Sequence, residues 1–299
     1  MAKGLDLRRR IKSIKGIRSV TKAMEMVSAS KMRKAQDQVL KVKSYSEKAL
    51  EILASISEKV PNYPHYLLKK SDGKKYLVLL ITSNKGLCGS LNSNAIRKTI
   101  EFIGGKDGEY TFVTLGKKGR DALFRLGHKV EADFSDVADN PSLLDISPVT
   151  KYLLEAYKKG NYDRVYIVYT HFLSILKQKP VVKRVVPLGK DITNFLKDVY
   201  TNKKDAEAGA EVDYEYVFEP TPSEVLDDIL PRFVEMQIYQ SVLEGSASEH
   251  SSRMVAMKNA TEAAGELIDL LTLTYNKLRQ SSITQEIAEI VGGVEALKN

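Results

Sequence analysis

The sequence predicts an α/β protein in which a long helix at each end of the chain forms an antiparallel coiled coil, with an α/β domain inserted between them. The two ends repeat apolar residues at helical spacing, the middle alternates strand-like and helix-like stretches, and the ends carry opposite charge. We expect the first helical segment over 1–65, the α/β domain over 66–219 and the last helical segment over 220–299.

The first segment has the pattern of one long helix. From Leu7 to Val60 it has no proline and a single glycine, Gly16. Spacings that alternate mainly between three and four indicate a narrow apolar seam. At about 1.5 Å per residue, roughly 50 residues make a rod of about 75 Å. The predicted seam consists of Leu7, Ile11, Ile14, Ile17, Thr21, Met24, Met32, Ala35, Val39, Val42, Tyr45, Ala49, Ile52 and Ile56.

The last segment repeats this pattern. Ser223 is the predicted N-cap. We expect Pro231 to kink or restart the helix, because it lacks the N–H that would bond back to Asp227. Gly292-Gly293 predicts the end of the helix. The predicted seam consists of Ile229, Phe233, Met236, Leu243, His250, Met254, Met257, Ala264, Leu267, Leu271, Leu278, Ile287 and Ile290.

The middle of the chain has the texture of a mainly parallel sheet with right-handed crossovers. A hairpin is expected from strands at 172–175 and 181–187. A charged surface loop over 190–212 and a short strand over 214–218 follow. The other predicted strands are 76–82, 110–115 and 164–170, and the predicted helices are 92–103, 117–126 and 141–159.

The charge is unevenly distributed. The chain carries a net charge of +8, but residues 1–59 hold 15 lysines and arginines against 6 acidic residues, and residues 220–299 hold 6 against 12. Balances of +9 and −6 attract each other if the two segments lie side by side. A basic arm that binds nucleic acid is the rival interpretation, and the apolar seam and the acidic counterpart make it the weaker one.

Composition excludes several classes of protein. No apolar run approaches the roughly 20 residues that span a bilayer, and the N-terminus lacks the pattern of a secretory signal. Arg8, Arg9 and Arg10 would suit a mitochondrial leader, but their segment continues without a break into the long helical pattern, which indicates mature structure. The single cysteine, Cys88, permits no internal disulfide and fits a reducing compartment.

The chain shows no constellation of residues that could run a reaction. Its four histidines have no metal-ligand spacing, and His250 on the predicted seam is expected to be packed or hydrogen-bonded. Cys88 follows the first strand, where α/β folds often hold ligands. Its loop lacks a phosphate-binding pattern and a nearby base. We therefore expect a tight glycine turn around a small buried thiol.

Four stretches resemble the gamma subunit family of F-type ATP synthases. Thr21-Lys-Ala-Met-Glu-Met-Val-Ser-Ala-Ser-Lys-Met-Arg-Lys-Ala-Gln36 is similar to the family's N-terminal signature. Asn84-Lys-Gly-Leu-Cys-Gly-Ser-Leu-Asn-Ser-Asn94 is similar to its Asp-Arg-Gly-Leu-Cys-Gly-Gly-Leu-Asn-x-Asn loop, from which Asn84, Lys85 and Ser90 depart. The closing helix of the family resembles Ala247-Ser-Glu-His-Ser-Ser-Arg-Met-Val-Ala-Met-Lys-Asn-Ala260 and Tyr275-Asn-Lys-Leu-Arg-Gln-Ser-Ser-Ile-Thr-Gln-Glu-Ile287.

The resemblance implies a central-stalk rotor subunit of a bacterial ATP synthase, one copy per complex, at the cytoplasmic face of the plasma membrane. Its partners would be the hexameric ring of alpha and beta subunits, the epsilon subunit and the membrane c-ring, through which alone it would meet the membrane. A Rossmann-like domain would sit below the coiled coil. ATP chemistry takes place on the beta subunits, so the resemblance implies no catalytic residue, no cofactor, no metal site and no nucleic-acid partner here.

The resemblance also implies partner-binding residues. Met24, with the basic neighbours Lys22 and Lys31, would face acidic loops of the beta subunits. Arg279 and Gln280 match the family pair that hydrogen-bonds a beta-subunit loop. Tyr214 and Tyr216 would contact the c-ring or the epsilon subunit.

Two other classes of function stay open at this point. An α/β enzyme that uses the loop at Cys88 predicts turnover by the isolated chain. A coiled-coil scaffold or nucleic-acid binder predicts strongly salt-dependent binding to DNA.

Overall fold

The computed structural model of the chain describes residues 2–60, 63–69, 71–188 and 218–298. It shows an α/β fold with a long helix at each end, as predicted. In chain order the elements are α1 (Ala2–Lys59), β1 (Lys75–Ile81), α2 (Leu91–Gly104), β2 (Glu109–Leu115), α3 (Lys117–Arg125), β3 (Val130–Asp133), α4 (Leu143–Lys158), β4 (Arg164–Phe172), β5 (Gln178–Val186) and α5 (Pro222–Lys298). The chain divides into two compact units, Met1–Ala29 with Arg253–Asn299, and Ser30–Ser252.

The unit Ser30–Ser252 is built on a five-stranded sheet with the strand order β3-β2-β1-β4-β5. The first four strands are parallel neighbours, and β5 pairs antiparallel with β4. This confirms the prediction of a mainly parallel sheet. The chain order reverses between β1 and β4. In open α/β sheets, ligands usually bind at such a point, beside the carboxyl ends of the strands.

Strand β1 is buried on both faces, which explains its continuous apolar sequence. Side chains alternate along a strand, so Leu77 and Leu79 face a large core cluster that includes residues of α4 and α5. Val78 and Leu80 face a smaller cluster that includes Leu123 of α3. All four side chains are completely buried.

In the other unit, α1 and α5 run antiparallel. The hydroxyl oxygens of Thr21 and Thr261 lie 2.8 Å apart. Three residues earlier in α1, the guanidinium of Arg18 lies beside Gly265, four residues later in α5. Pairs that step in opposite directions along the two helices establish the antiparallel arrangement that the seams predicted.

Two residues assigned to the seams from the sequence are exposed instead of packed between the helices. Ile17 is 54% exposed and Leu267 is 43% exposed. In α1 the guanidinium of the neighbouring Arg18, which is itself exposed, lies against Gly265 of α5, where no side chain fills the space. In α5 the neighbouring Ile268 is 7% exposed and takes the buried position. Three other predicted seam residues are also exposed: Tyr45, Ile287 and Ile290.

Helix α5 starts earlier and ends later than predicted. Its first residue is Pro222, and the hydroxyl of Thr221 accepts a hydrogen bond from the N–H of Glu224 at 3.3 Å, so Thr221 rather than Ser223 caps it. Proline suits the first helical position because its missing N–H would have no partner there. The helix continues through Pro231 without a restart, and through Gly292-Gly293 to Lys298.

The hairpin also differs from the prediction. Phe172 ends β4, and residues 173–177 form the turn rather than a strand. The second strand begins at Gln178 and takes in Pro180, which an edge strand tolerates. The short strand β3 was not predicted. The predicted loop 190–212 and residues 214–217 of the predicted strand lie outside the described residues, and Phe218 is in no regular element.

Candidate partner-binding surfaces

The loop after β1 is a tight turn around a buried thiol, as predicted. Leu87 and Gly89 have left-handed φ angles of 61° and 58°. Cys88 between them is 2% exposed. Its sulfur lies 3.3 Å from Nδ2 of Asn92 and 3.8 Å from Oγ of Ser83. The thiol is therefore enclosed by polar groups on both sides of its loop, Ser83 after β1 and Asn92 at the start of α2.

A small cleft opens beside this loop, at the carboxyl ends of β1 and β4, where the chain order reverses. Its volume is about 40 Å³, and its walls include Thr82, Asn84, Asp139, Thr170 and Glu249. Pockets that bind small molecules usually measure about 300–1,000 Å³. The cleft could hold a few water molecules, but not a nucleotide or a comparable substrate.

Asn84, which departs from the family motif, has a structural role here. Its Nδ2 donates to the carbonyl of Ser135 at 2.8 Å, and its Oδ1 accepts from the N–H of Lys117 at 3.0 Å. An aspartate could accept the second bond but could not donate the first. In this chain the asparagine ties the loop after β1 to the segments that follow β2 and β3.

Asp139 forms ion pairs with two lysines of its own chain. Its Oδ2 accepts from Nζ of Lys31 at 2.7 Å, and Nζ of Lys85 lies 3.9 Å away. The hydrogen bond from Lys31 holds the pKa of Asp139 below its usual value. Ser246 of α5 donates to the backbone carbonyl of Asp139 at 2.9 Å. Lys31, predicted to face a partner, thus has a carboxylate partner within the chain, although 42% of its side chain stays exposed.

Lys22 and Met24 lie on α1 in the other unit. The Lys22 ammonium bonds both carboxylate oxygens of Glu25 at 3.1 Å, and 55% of its side chain is exposed. Such an exposed pair contributes little to stability, so Lys22 can exchange Glu25 for another carboxylate. Met24 is half-buried.

Arg279 and Gln280 lie where the two-helix part of this unit ends. Both side chains are exposed. The pairs Thr21–Thr261 and Arg18–Gly265 define the register of the two antiparallel helices. Extended to Ala2, the first residue of α1, this register places Ala2 opposite about residue 280 of α5. The last turns of α5, roughly 18 residues to Lys298, extend beyond α1. Ile283, Ile287, Ile290 and Val291 are 46–67% exposed along them.

A buried ionisable cluster joins the β4–β5 hairpin to α5 and was missed by the sequence analysis. Nδ1 of His171 lies 2.5 Å from Oε2 of Glu244, whose side chain is 8% exposed. Gln240 donates to the other oxygen of Glu244 at 3.0 Å. The hydrogen bond to Glu244 raises the pKa of His171. Burial is the main cause that raises the pKa of Tyr169 and lowers that of Lys183 beside them.

Comparison with known proteins decides the family. The ATP synthase family model matches residues 4–297. The ATP synthase gamma chain of Nitrosomonas eutropha is 42% identical over 301 residues, which cover 99% of this chain and 100% of that one. The gamma chain of Pelotomaculum thermopropionicum is 40% identical and covers 98% of each chain. The chain belongs to the ATP synthase gamma chain family.

Solved structures show the same fold. The rotor of the Euglena gracilis mitochondrial ATP synthase aligns with a TM-score of 0.63 at 21% identity, over 94% of this chain and 99% of that chain. A chain of the OSCP/F1/c-ring structure from the same organism aligns with a TM-score of 0.64 over 99% and 95%. Together with the gamma-chain matches, this confirms the family resemblance inferred from the four stretches. Among the described helices of this gamma chain, none is long and apolar enough to cross a membrane.

The family does not by itself assign the partner-binding residues. Lys22, Arg279 and Gln280 are exposed and Met24 is half-buried, whereas Lys31 is engaged by Asp139. Tyr214 and Tyr216 lie outside the described residues. All seven roles stay predictions.

Proposed function

We propose that this gamma chain is the central-stalk rotor shaft of an ATP synthase, which couples ion-driven rotation of the c-ring to ATP synthesis and hydrolysis on the beta subunits. The match to gamma chains over the full length carries this proposal. The chain itself is a non-catalytic subunit. The cleft beside Cys88 supports this, because it is far smaller than a nucleotide.

The helix pair suits a shaft because it exposes apolar side chains that a soluble protein normally covers. On α1 these are Ile17, Val20, Met26 and Val27, each more than half exposed. On α5, Leu270 and Leu273 are 59% and 55% exposed. Exposed apolar side chains in this number usually mark a protein interface. A surrounding ring of alpha and beta subunits would cover them.

An asymmetric shaft can set the state of identical neighbours. The two helices present different side chains in each direction, so three identical beta subunits around them would each meet a different surface. A partner shifts a conformational equilibrium by the difference in its contact free energy between the two states, and couplings of about 1–3 kcal/mol are typical. Rotation of the shaft would pass each set of contacts to the next beta subunit in turn.

We assign the remaining partners from the family resemblance. The epsilon subunit and the c-ring would bind the α/β domain, with Tyr214 and Tyr216 at that contact, and membrane contact would run through the c-ring alone. We place the complex at the cytoplasmic face of the bacterial plasma membrane, with one gamma chain in each. The division into segments 1–65, 66–219 and 220–299 also stays a prediction.

Within the shaft we assign the main contact with a beta-subunit loop to Arg279 and Gln280, and a second contact to Met24 and Lys22. Arginine offers a planar fork of donors that suits a carboxylate. Lys31 ranks below them, because a partner carboxylate would have to compete with Asp139 at 2.7 Å.

Assembly with alpha and beta subunits tests the proposal. The purified chain, the two other subunits and the mixture would each be assayed for ATP hydrolysis and sized by light scattering. We expect one copy of this chain per three alpha–beta pairs, hydrolysis by the complex and none by the chain alone. Turnover by the isolated chain that is lost in Cys88→Ser would instead establish the enzyme alternative. Salt-dependent binding to DNA without binding to the ring would establish the nucleic-acid alternative.

A further inference from the structure

The turn between β4 and β5 presents apolar side chains to solvent at a place that none of the predicted contacts uses. Leu173 is 47% exposed, Ile175 is 42% exposed and Leu176 is 83% exposed. Three large apolar side chains within four residues are unusual on a polar turn. Single exposed apolar residues are ordinary, but contiguous ones indicate an interaction site.

The backbone of the turn is closed by its own hydrogen bonds. The N–H groups of Leu173 and Ser174 donate to the carbonyl of Lys177 at 3.2 and 2.9 Å. The N–H of Lys177 donates back to the carbonyl of Ser174 at 3.2 Å and to its hydroxyl at 3.1 Å. The turn therefore has a defined conformation before any partner arrives.

Helix α5 fixes the turn from outside. Ser251 donates to the carbonyl of Ile175 at 2.7 Å, and Ser252 donates to Oε1 of Gln178 at 3.2 Å. Nε2 of Gln178 also donates to the Ile175 carbonyl, at 2.7 Å. Because the turn is already ordered, a partner that binds it has little conformational entropy left to remove.

The charge beside the apolar side chains is positive. Lys177 lies in the turn and Lys179 follows it at the start of β5, and both are exposed. Within the described part of the chain, neither lysine forms an ion pair. Apolar side chains next to uncompensated cations complement a surface that has carboxylates around an apolar recess.

The size of the patch indicates how long such a contact lasts. Three side chains offer at most a few hundred Å², whereas a stable complex buries about 800 Å² on each partner. The turn is too small to hold a second copy of this chain, or to fix a permanently bound subunit on its own. It suits a contact that forms and releases as the shaft turns.

We propose that the β4–β5 turn, residues 173–177, is a recurrent docking point for an acidic, apolar surface on the ring of alpha and beta subunits. This inference rests on the proposed function of the chain as a shaft inside that ring. It adds a contact outside the helix pair, in the unit Ser30–Ser252.

Opposite charges at one position test the proposal. Leu176→Asp and Leu176→Lys both remove the apolar side chain, but they place opposite charges before the partner. Affinity for the assembled ring would be measured with fluorescently labelled full-length chain at low and high salt. We expect the Asp variant to bind about tenfold more weakly than the Lys variant at low salt, because like charges repel, and the gap to close at high salt.

Leu126 supplies the matched control. It is 53% exposed. It lies directly after the last residue of α3, away from the β4–β5 turn in the sequence. Leu126→Asp and Leu126→Lys should bind the ring equally. Equal binding of the two Leu176 variants would overturn the proposal, as would the same gap at Leu126, which would reflect net charge alone. A gap confined to binding of the epsilon subunit would assign the turn to that partner and also overturn it. Failure of the unmodified chain to bind the ring would contradict the proposed function itself.

Discussion

Arg18 shows at the scale of single residues why side-chain hydrophobicity is an incomplete guide to a helix seam. Ile17 is the more apolar neighbour, and residues 17 and 18 both fit a spacing of three and four between Ile14 and Thr21, but Ile17 is 54% exposed. The opposite residue, Gly265, has no side chain, and the guanidinium of Arg18 lies against it, with Nε of Arg18 3.8 Å from where a Cβ would be. The Arg18 side chain stays exposed, so its charge keeps contact with water.

Arg279 and Gln280 yield the first prediction. Arg279→Ala and Gln280→Ala should each slow ATP hydrolysis by the assembled complex about tenfold, since an unpaired partner group costs about 1–3 kcal/mol and 1.4 kcal/mol corresponds to a factor of ten in rate. Both side chains are exposed, so the thermal stability of the isolated chain should not change.

Two controls accompany that measurement. Lys277→Ala alters another exposed residue of the same helix and should leave the rate unchanged. Truncation after residue 292 should matter less than either substitution, because it removes only the outer part of the extension. Loss of turnover on truncation, with both point variants like the wild type, would show that the contact lies in the tail.

His171 gives a prediction about pH. Its pKa is raised above 6.5 in the folded chain, chiefly by Glu244 and against the lowering effects of burial, Lys183 and Lys179. The folded state then binds the proton more tightly than the unfolded state, so the pair stabilises the chain fully below about pH 6.5, and this contribution disappears as pH rises through the folded pKa. More than a third of the His171 side chain is exposed, so it amounts to at most about 1 kcal/mol.

Thermal denaturation of the full chain between pH 5.5 and 8.5 checks this. The midpoint difference between the wild type and His171→Gln should be larger at pH 5.5 than at pH 8.5. Glu244→Gln should flatten the pH dependence in the same way, because it removes the carboxylate that raises the pKa. A difference that grows with pH would refute the assigned sign.

The sequence could not have revealed this cluster. His171 and Glu244 are 73 residues apart in the chain, and neither lies in a motif with chemical meaning. One signal was present: Glu244 stands in an apolar helical stretch between Leu243 and Ala247, both completely buried. A lone carboxylate there needs a partner, but its identity follows only from the packing of the hairpin on α5.

At the scale of elements, the sequence predicted a strand or helix correctly where its local residue pattern, rather than tertiary packing, determines the structure. Strand β1 was predicted correctly because its apolar run has one explanation, burial on both faces. Pro231 was expected to kink or restart α5. The helix does not restart there, and Leu230, Phe233 and Val234 around it are all at most 3% exposed. Burying such side chains stabilises by about 1.5–3 kcal/mol each, which offsets the roughly 3 kcal/mol that an interior proline costs.

The helix end was misjudged for a related reason. A glycine costs about 1 kcal/mol relative to alanine inside a helix, so Gly292 and Gly293 weaken the helix without ending it. Adding a turn to an existing helix avoids the unfavourable nucleation step. Seventy preceding helical residues therefore make continuation to Lys298 the favoured state.

The register of the helix pair can be tested by disulfide formation. Thr21→Cys with Thr261→Cys should form a disulfide readily under mild oxidation, because the two hydroxyl oxygens are 2.8 Å apart. Gel mobility with and without reductant measures the yield. Leu7→Cys with Ile290→Cys is the comparison, and it should not crosslink, since Ile290 lies beyond the start of α1. Efficient crosslinking of the second pair and not the first would contradict the observed register.

At the scale of the whole molecule, assembly should change the dynamics of one region far more than another. In the isolated chain we expect fast amide exchange over 281–298, because a single helix without a packed partner is marginally stable. We expect slow exchange in β1 and β4, because both strands are buried. Binding to alpha and beta subunits should protect 281–298 and leave β1 unchanged. Hydrogen–deuterium exchange with mass spectrometry follows both. Unchanged exchange over 281–298 in the complex would argue against burial of this end in the ring.

The overhang of α5 beyond α1 has a mechanical consequence. A two-stranded rod resists twisting and bending more than one of its strands does, so stiffness drops where α1 begins, near Arg279 and Gln280. Torque applied to α5 beyond that point would twist a single flexible helix instead of rotating the two-helix part of the shaft. In the proposed shaft, force would therefore pass most directly where both helices are present, and the single-helix end of α5 would bend and twist elastically.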